Sequence, residues 1–236
     1  MWLALETSGD RASAAVGDSG RVLGQAELAG ARRHAAALPQ LIDQALHLAG
    51  ATAGEIEGIV LGDGPGSFTG LRIGATVAKA MLRARRRPLW AAPSLLALAA
   101  SDDRERSGAL VVAVGDALRG QLFATSIRVR PRGIELVLPP GVVAPDELAG
   151  RVSLPDLLVI RDEGAPPMPT AWAAVPSALR CPAAADLLPL IGVPGGARFI
   201  AHPAEWEPDY GRPAEAQARW EATHGRRLPD STGRLS

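Results

Sequence analysis

The chain has 236 residues, 25 basic and 25 acidic side chains, one cysteine, 47% hydrophobic residues and 4% aromatic ones. That length is enough to bury a real core, and the balanced charge removes the argument for bulk attraction to nucleic acid or to an anionic membrane. Cys181 stands alone, which excludes an internal disulfide and a four-cysteine zinc site. Met1-Trp2-Leu3-Ala4-Leu5-Glu6 meets an acid at its sixth position without a basic flank, so no signal peptide is expected. The longest uncharged apolar run, Pro88 to Ala100, holds 13 residues with Pro93 inside it. A bilayer span needs about 20. A cytoplasmic, reduced protein is expected. Of the basic residues 24 are arginine and only Lys79 is lysine, asparagine is absent and 44 residues are alanine. Lysine and asparagine fall together while alanine swells, so the arginines read as a sequence-wide bias rather than as phosphate recognition.

The first hundred residues read as three strands, a helix, a strand, a helix, a strand and a helix. Trp2–Glu6, Ala12–Gly17 and Arg21–Leu28 are apolar runs joined by short turns rich in Gly, Asp and Ser, which suits antiparallel neighbours. From Arg33 to Leu48, Leu38, Leu41, Ile42, Ala45 and Leu46 recur at helical spacing. Pro39 lies within, so the helix should start near 36–38 or kink there. Ile56–Gly62 predicts a buried strand, Leu71–Arg87 a long helix, Leu89–Ala91 a strand and Ser94–Ala100 a further helix.

Residues 101–108 are short, polar and charged, and after them the opening pattern returns. Leu110–Val114 is an apolar strand followed by Gly115-Asp116, as Thr7-Ser8 follow Glu6, and Gln121–Arg130 with Ile134–Leu138 reads as a hairpin. This is a weak internal repeat. The expected organisation is an α/β unit over 1–102, a second and helix-poor α/β unit over 108–205, and an extension over 206–236. The proline-rich stretch Pro166 to Pro182 is expected to run as surface loop, and Ala214–Thr223 as one polar helix.

The most informative stretch is Gly62-Asp63-Gly64-Pro65-Gly66-Ser67-Phe68-Thr69-Gly70-Leu71-Arg72-Ile73-Gly74. It follows a predicted strand and opens a predicted helix. Its glycines permit close approach, and Ser67 or Thr69 can cap the helix. Such a turn is either structural or an anion site at the helix N-terminus. It is no Walker A loop, lacking the lysine, and no nucleophile elbow. Gly70, Gly74 and Ala78 then recur every four residues on one helix face. That spacing fits packing on the chain's own sheet or on another molecule. The arginines at 83, 85, 86 and 87 suit the negative pole of the helix.

The block Gly64 to Gly74 (GPGSFTGLRIG), the start LALETS at 3–8, and His34 followed by Leu38-Pro39 together resemble the bacterial TsaB (YeaZ) family. The likeness is strongest over 1–100, reaches into Val111–Phe123, and includes Glu207-Pro208-Asp209-Tyr210 as the family's late Pro-x-Tyr element. It implies an actin/sugar-kinase-like (ribonuclease H-like) duplicated fold, two α/β subdomains with mixed sheets. It further implies a non-catalytic scaffold in the tRNA modification that makes N6-threonylcarbamoyladenosine at position 37. The implied partners are a TsaD-like catalytic paralogue and a TsaE-like ATPase, with a homodimer when alone and tRNA reached only through the complex. The implied shared helical surface maps to His34, Leu38, Leu41, Ile42, Ala45, Gly70, Arg72, Ile73, Gly74 and Val77.

The catalytic paralogue holds a metal with two histidines four apart on a helix, one turn apart on one face. Here His34 is followed four residues later by Leu38, and His47, His202 and His224 stand at unrelated spacings, so no metal is expected. Kinase-like duplicated folds place acids at the ends of the two equivalent first strands, facing magnesium-bound ATP or ADP. Glu6 and Asp116 keep those positions, and with Gly64, Gly66, Ser67 and Thr69 they form a vestigial nucleotide site. Glu6 in place of the common aspartate, and Asp63 where arginine is common, both weaken it. The alternatives are an ATPase or phosphotransferase of the same fold, and a metallohydrolase.

Overall fold

The computed structural model describes residues 1–30, 34–101, 108–131, 133–161 and 165–210. Alternation sets the first strand: in β1 (Trp2–Glu6) Leu3 and Leu5 face one side of the sheet and Ala4 the other. Tight turns carry the chain into antiparallel β2 (Arg11–Asp18) and β3 (Arg21–Ala29). Parallel pairing needs longer crossovers. Helix α1 (His34–Leu48) leads to β4 (Gly58–Gly62) beside β1, and α2 (Phe68–Ala84) leads to β5 (Leu89–Ala92) beside β4. Both helices cover the face that carries Leu3, Leu5, Ile59 and Leu61.

Helix α1 begins at His34, ahead of the expected 36–38, so Pro39 lies inside it on the exposed side, near enough to the start to forgo only one early helical hydrogen bond. Helix α2 begins at Phe68 because Ser67 caps it, three residues before the first long aliphatic of the pattern. In α3 (Ser94–Ala100) all seven residues are buried. It lies between the two sheets, with Ala4 and Val60 of one and Val111, Ala113, Phe123 and Ile127 of the other in the same cluster. A helix apolar all round belongs in such a place.

The second unit holds β6 (Leu110–Asp116), β7 (Leu122–Arg130), β8 (Gly133–Val143), α4 (Pro145–Arg151), β9 (Leu157–Ile160) and β10 (Ser177–Leu179). Its strand order, β10-β9-β6-β7-β8, repeats the β5-β4-β1-β2-β3 of the first, with the same parallel and antiparallel pairs. The repeat suggested by Leu110–Asp116 is therefore a repeat of topology, and each sheet is mixed.

Two expectations change. Pro166 to Pro182 is not all surface loop, because a 3₁₀ turn at Thr170–Trp172 buries Trp172 and β10 pairs with β9. The 108–205 stretch also does not stay with its own sheet. Helix α5 (Ala184–Leu187) joins the cluster around α3, and β11 (Arg198–Ile200) returns to pair antiparallel with β5. Trp2, Trp90 and Phe199 form an edge-to-face row across that sheet at 6.3 and 6.0 Å, and Gly58 leaves the room in which the Trp2 indole lies. The 214–223 helix expected from sequence lies outside the described residues.

Candidate functional site

The end of β1 and the glycine loop after β4 interlock. Glu6 is wholly buried, and its Oε1 accepts the Ser8 amide at 2.7 Å. Ser67 donates its amide to the Ser8 carbonyl at 2.7 Å, and Ser67 Oγ accepts the Gly70 amide at 3.2 Å as the cap of α2. Each loop glycine faces a protein atom. A Cβ at Gly62 would meet Glu6 Oε2 at 2.0 Å, at Gly66 the Ser8 carbonyl at 2.3 Å, at Gly70 the Thr7 carbonyl at 2.0 Å and at Gly74 Thr7 Oγ1 at 2.6 Å. Gly64, at φ +103°, meets the Asp209 carbonyl at 2.1 Å. The glycines thus let the loop pack closely on the chain's own backbone and side chains, as the structural reading of the loop expects. The Gly70, Gly74 and Ala78 stripe likewise packs on the chain's own β1 and β4. Thr69 is exposed beside the cap. Glu6 Oε2, Thr7 Oγ1 and Ser8 Oγ are buried without a hydrogen-bond partner among the described residues.

The second unit mirrors this turn. Asp116, at the end of β6, accepts the Leu118 amide on Oδ1 at 2.6 Å, the same two-residue reach that Glu6 makes to Ser8. Arg161, immediately after β9, is buried and crosses between the units. Its Nη1 donates to the Pro65 carbonyl at 2.8 Å, its Nη2 reaches the Asp116 carbonyl at 3.5 Å, and its guanidinium carbon lies 5.6 Å from the Phe123 ring centroid. Gly115 leaves room for it, since a Cβ there would stand 2.7 Å from the guanidinium and push it aside. Nothing in the local sequence marks Arg161 among 24 arginines. Only the repeat of topology sets it apart, since it follows β9 where the Gly62 loop follows β4 in the first unit.

Asp63 does not project a charge from the loop. It is buried, and Arg198 of β11 forms an ion pair with it. Burial pushes its carboxyl up to about 6, against the downward pull of Arg198. The Asp63 carbonyl also accepts the Asp209 amide at 2.8 Å, which begins a strap over α2. Tyr210 packs on Phe68 at 4.5 Å, Arg72 lies over that ring at 4.3 Å, and Glu207 takes Lys79 at 3.1 Å and the Tyr210 hydroxyl at 3.0 Å.

Most of the expected partner surface faces inward. Leu38, Leu41, Ile42, Ala45, Gly70 and Gly74 are buried in the monomer, because the helical stripe they form is the one that α1 and α2 lay on their own sheet. Arg72 is exposed, and Ile73 and Val77 are half-buried. The side chain of His34 lies outside the described residues. No group of three or more His, Cys, Asp and Glu among the described residues is placed to hold a metal, and no helix among them is long and apolar enough to cross a membrane.

A magnesium nucleotide, which the duplicated fold implies between the two first strands, does not fit these residues. Glu6 is sealed between Ser8 and Gly62, Asp116 is turned onto Leu118, and Arg161 occupies the interval. A cavity of about 280 Å³ lies elsewhere, lined by Ala100, Ile127, Val129, Ile134, Val193 and Pro194 among others.

Two like sheets, built in the same strand order around a shared helical layer, define the duplicated actin-like class. Residues 26–164, more than half of the chain, match the family described as TsaD: tRNA N6-adenosine threonylcarbamoyltransferase. The tRNA threonylcarbamoyladenosine biosynthesis protein TsaB of Escherichia coli is 29% identical over 147 residues, covering 60% of this chain and 63% of that protein. Its namesake in Haemophilus influenzae is 30% identical over 125 residues, 53% of this chain and 52% of that one. The chain thus spans between half and two-thirds of these curated relatives. The solved Pseudomonas aeruginosa protein with similarity to peptidase YEAZ superposes with a TM-score of 0.71 at 28% identity, covering 89% of this chain and 99% of that one. This chain belongs to that family, on its TsaB (YeaZ) side.

Proposed function

We propose that the chain is a non-catalytic subunit in the threonylcarbamoylation of adenosine 37 of tRNA. It pairs with a TsaD-like catalytic paralogue, works with a TsaE-like ATPase, forms a homodimer when alone, and meets tRNA only through the complex. The observation that carries this reading is Leu38. It stands one helical turn after His34, where the resemblance puts the second metal ligand, and it is fully buried in an apolar core. A leucine there supplies no donor atom, and a lone histidine does not hold a catalytic metal. The relatives' names place them in this modification pathway, which supports the process. The partner-facing surface is centred on Arg72, Ile73 and Val77 on α2, the candidates with described side chains that are not fully buried in the monomer. Mixing the chain with its paralogue should give a stoichiometric complex on size exclusion and a threonylcarbamoylation activity that neither shows alone. Activity unchanged by this chain would overturn the reading.

A further inference from the structure

We propose that Arg161 is a latch that closes the cleft between the two units, making the chain one rigid body rather than a hinged, nucleotide-binding pair. The guanidinium joins the glycine loop of the first unit, through the Pro65 carbonyl, to the first-strand end of the second, through Asp116. It is held from below by Phe123 and admitted by the missing side chain of Gly115. A buried guanidinium is costly to desolvate and keeps its place only when its donors find acceptors. Here those acceptors come from both units, so opening the cleft would strip the Pro65 carbonyl from the arginine. The two acids that a cleft ligand would need are each turned onto the amide two residues ahead. Arginine, glycine and turned acids together describe a cleft held shut by protein.

The test compares the full-length wild type with Arg161→Met, which keeps the bulk of the side chain and removes the donors, and with Gly115→Ala, which pushes the guanidinium aside. Amide exchange is read at Ser67, Gly70 and Leu71, whose bonds tie the loop together. Each variant should speed exchange there by about tenfold or more while the amides of β2 and β7 keep their protection. Unchanged exchange at the loop in a folded variant overturns the latch. If Arg161→Met does not fold, Gly115→Ala carries the same readout. Calorimetry with magnesium-ATP supplies the second arm. The wild type should give no heat at millimolar nucleotide. Wild-type binding that Arg161→Met abolishes would make the arginine a phosphate ligand and overturn the proposal. Neither arm uses the catalytic paralogue, so a failure here is distinct from a failure of the subunit reading.

Discussion

Thr7 shows how closely the loop is fitted. Its carbonyl lies against Gly70 and its hydroxyl against Gly74, and that hydroxyl is buried with no partner among the described residues. Thr7→Val keeps the shape and removes the unsatisfied group, so it should raise stability by about 1 kcal/mol in a denaturant titration. Gly70→Ala should do the opposite, by roughly 3 kcal/mol or more, because its Cβ would meet backbone, which cannot swing away. Asp63 gives a pH signature. Its folded value is raised from 3.8 to about 6 by burial, so the folded chain holds a proton that the unfolded chain releases in that range. This contribution to stability is therefore full below about pH 4 and is lost as pH rises through about 6. Asp63→Asn should flatten that slope in urea midpoints taken from pH 4 to 7.5.

At the scale of elements, the strap over α2 is a joint of small parts. The Lys79–Glu207 pair is partly exposed and contributes little by itself, whereas the Tyr210–Phe68 stack adds apolar contact. Tyr210→Ala should speed exchange of the Asp209 amide roughly fivefold and leave α3 protected. The same scale explains what could be read from sequence. β1, β2, β3 and α3 follow from period and turns, since each is bounded by Gly, Pro or polar residues that end it. β9 is only four residues long and apolar throughout, and β10 is three residues long and largely exposed, so no local period distinguishes them. Arg161 escaped notice because its role is set by the carbonyl of Pro65, 96 positions earlier. The glycine block was legible as a motif, but its purpose became readable only when Thr7, Ser8 and Asp209 were found against it.

For the whole molecule, partner surface and core have to be separated before a mutation can be interpreted. Leu38→Ala removes a fully buried side chain and should cost about 2–5 kcal/mol, so any lost complex would report a loosened monomer. Arg72→Glu changes the outward side of α2. It should leave the thermal midpoint within a few degrees and abolish co-elution with the catalytic paralogue. Co-elution that survives would move the surface elsewhere on the chain.

The return of β11 has a consequence for synthesis. The sheet begun at Trp2 is finished by Phe199, so from the emergence of β5 until that of β11, more than a hundred residues later, the β5 strand stands as an open edge with Trp90 beside it. Open edges recruit other strands. The nascent first unit should therefore rely on holdase chaperones until residue 200 has emerged, and chains truncated before β11 should be recovered in the insoluble fraction.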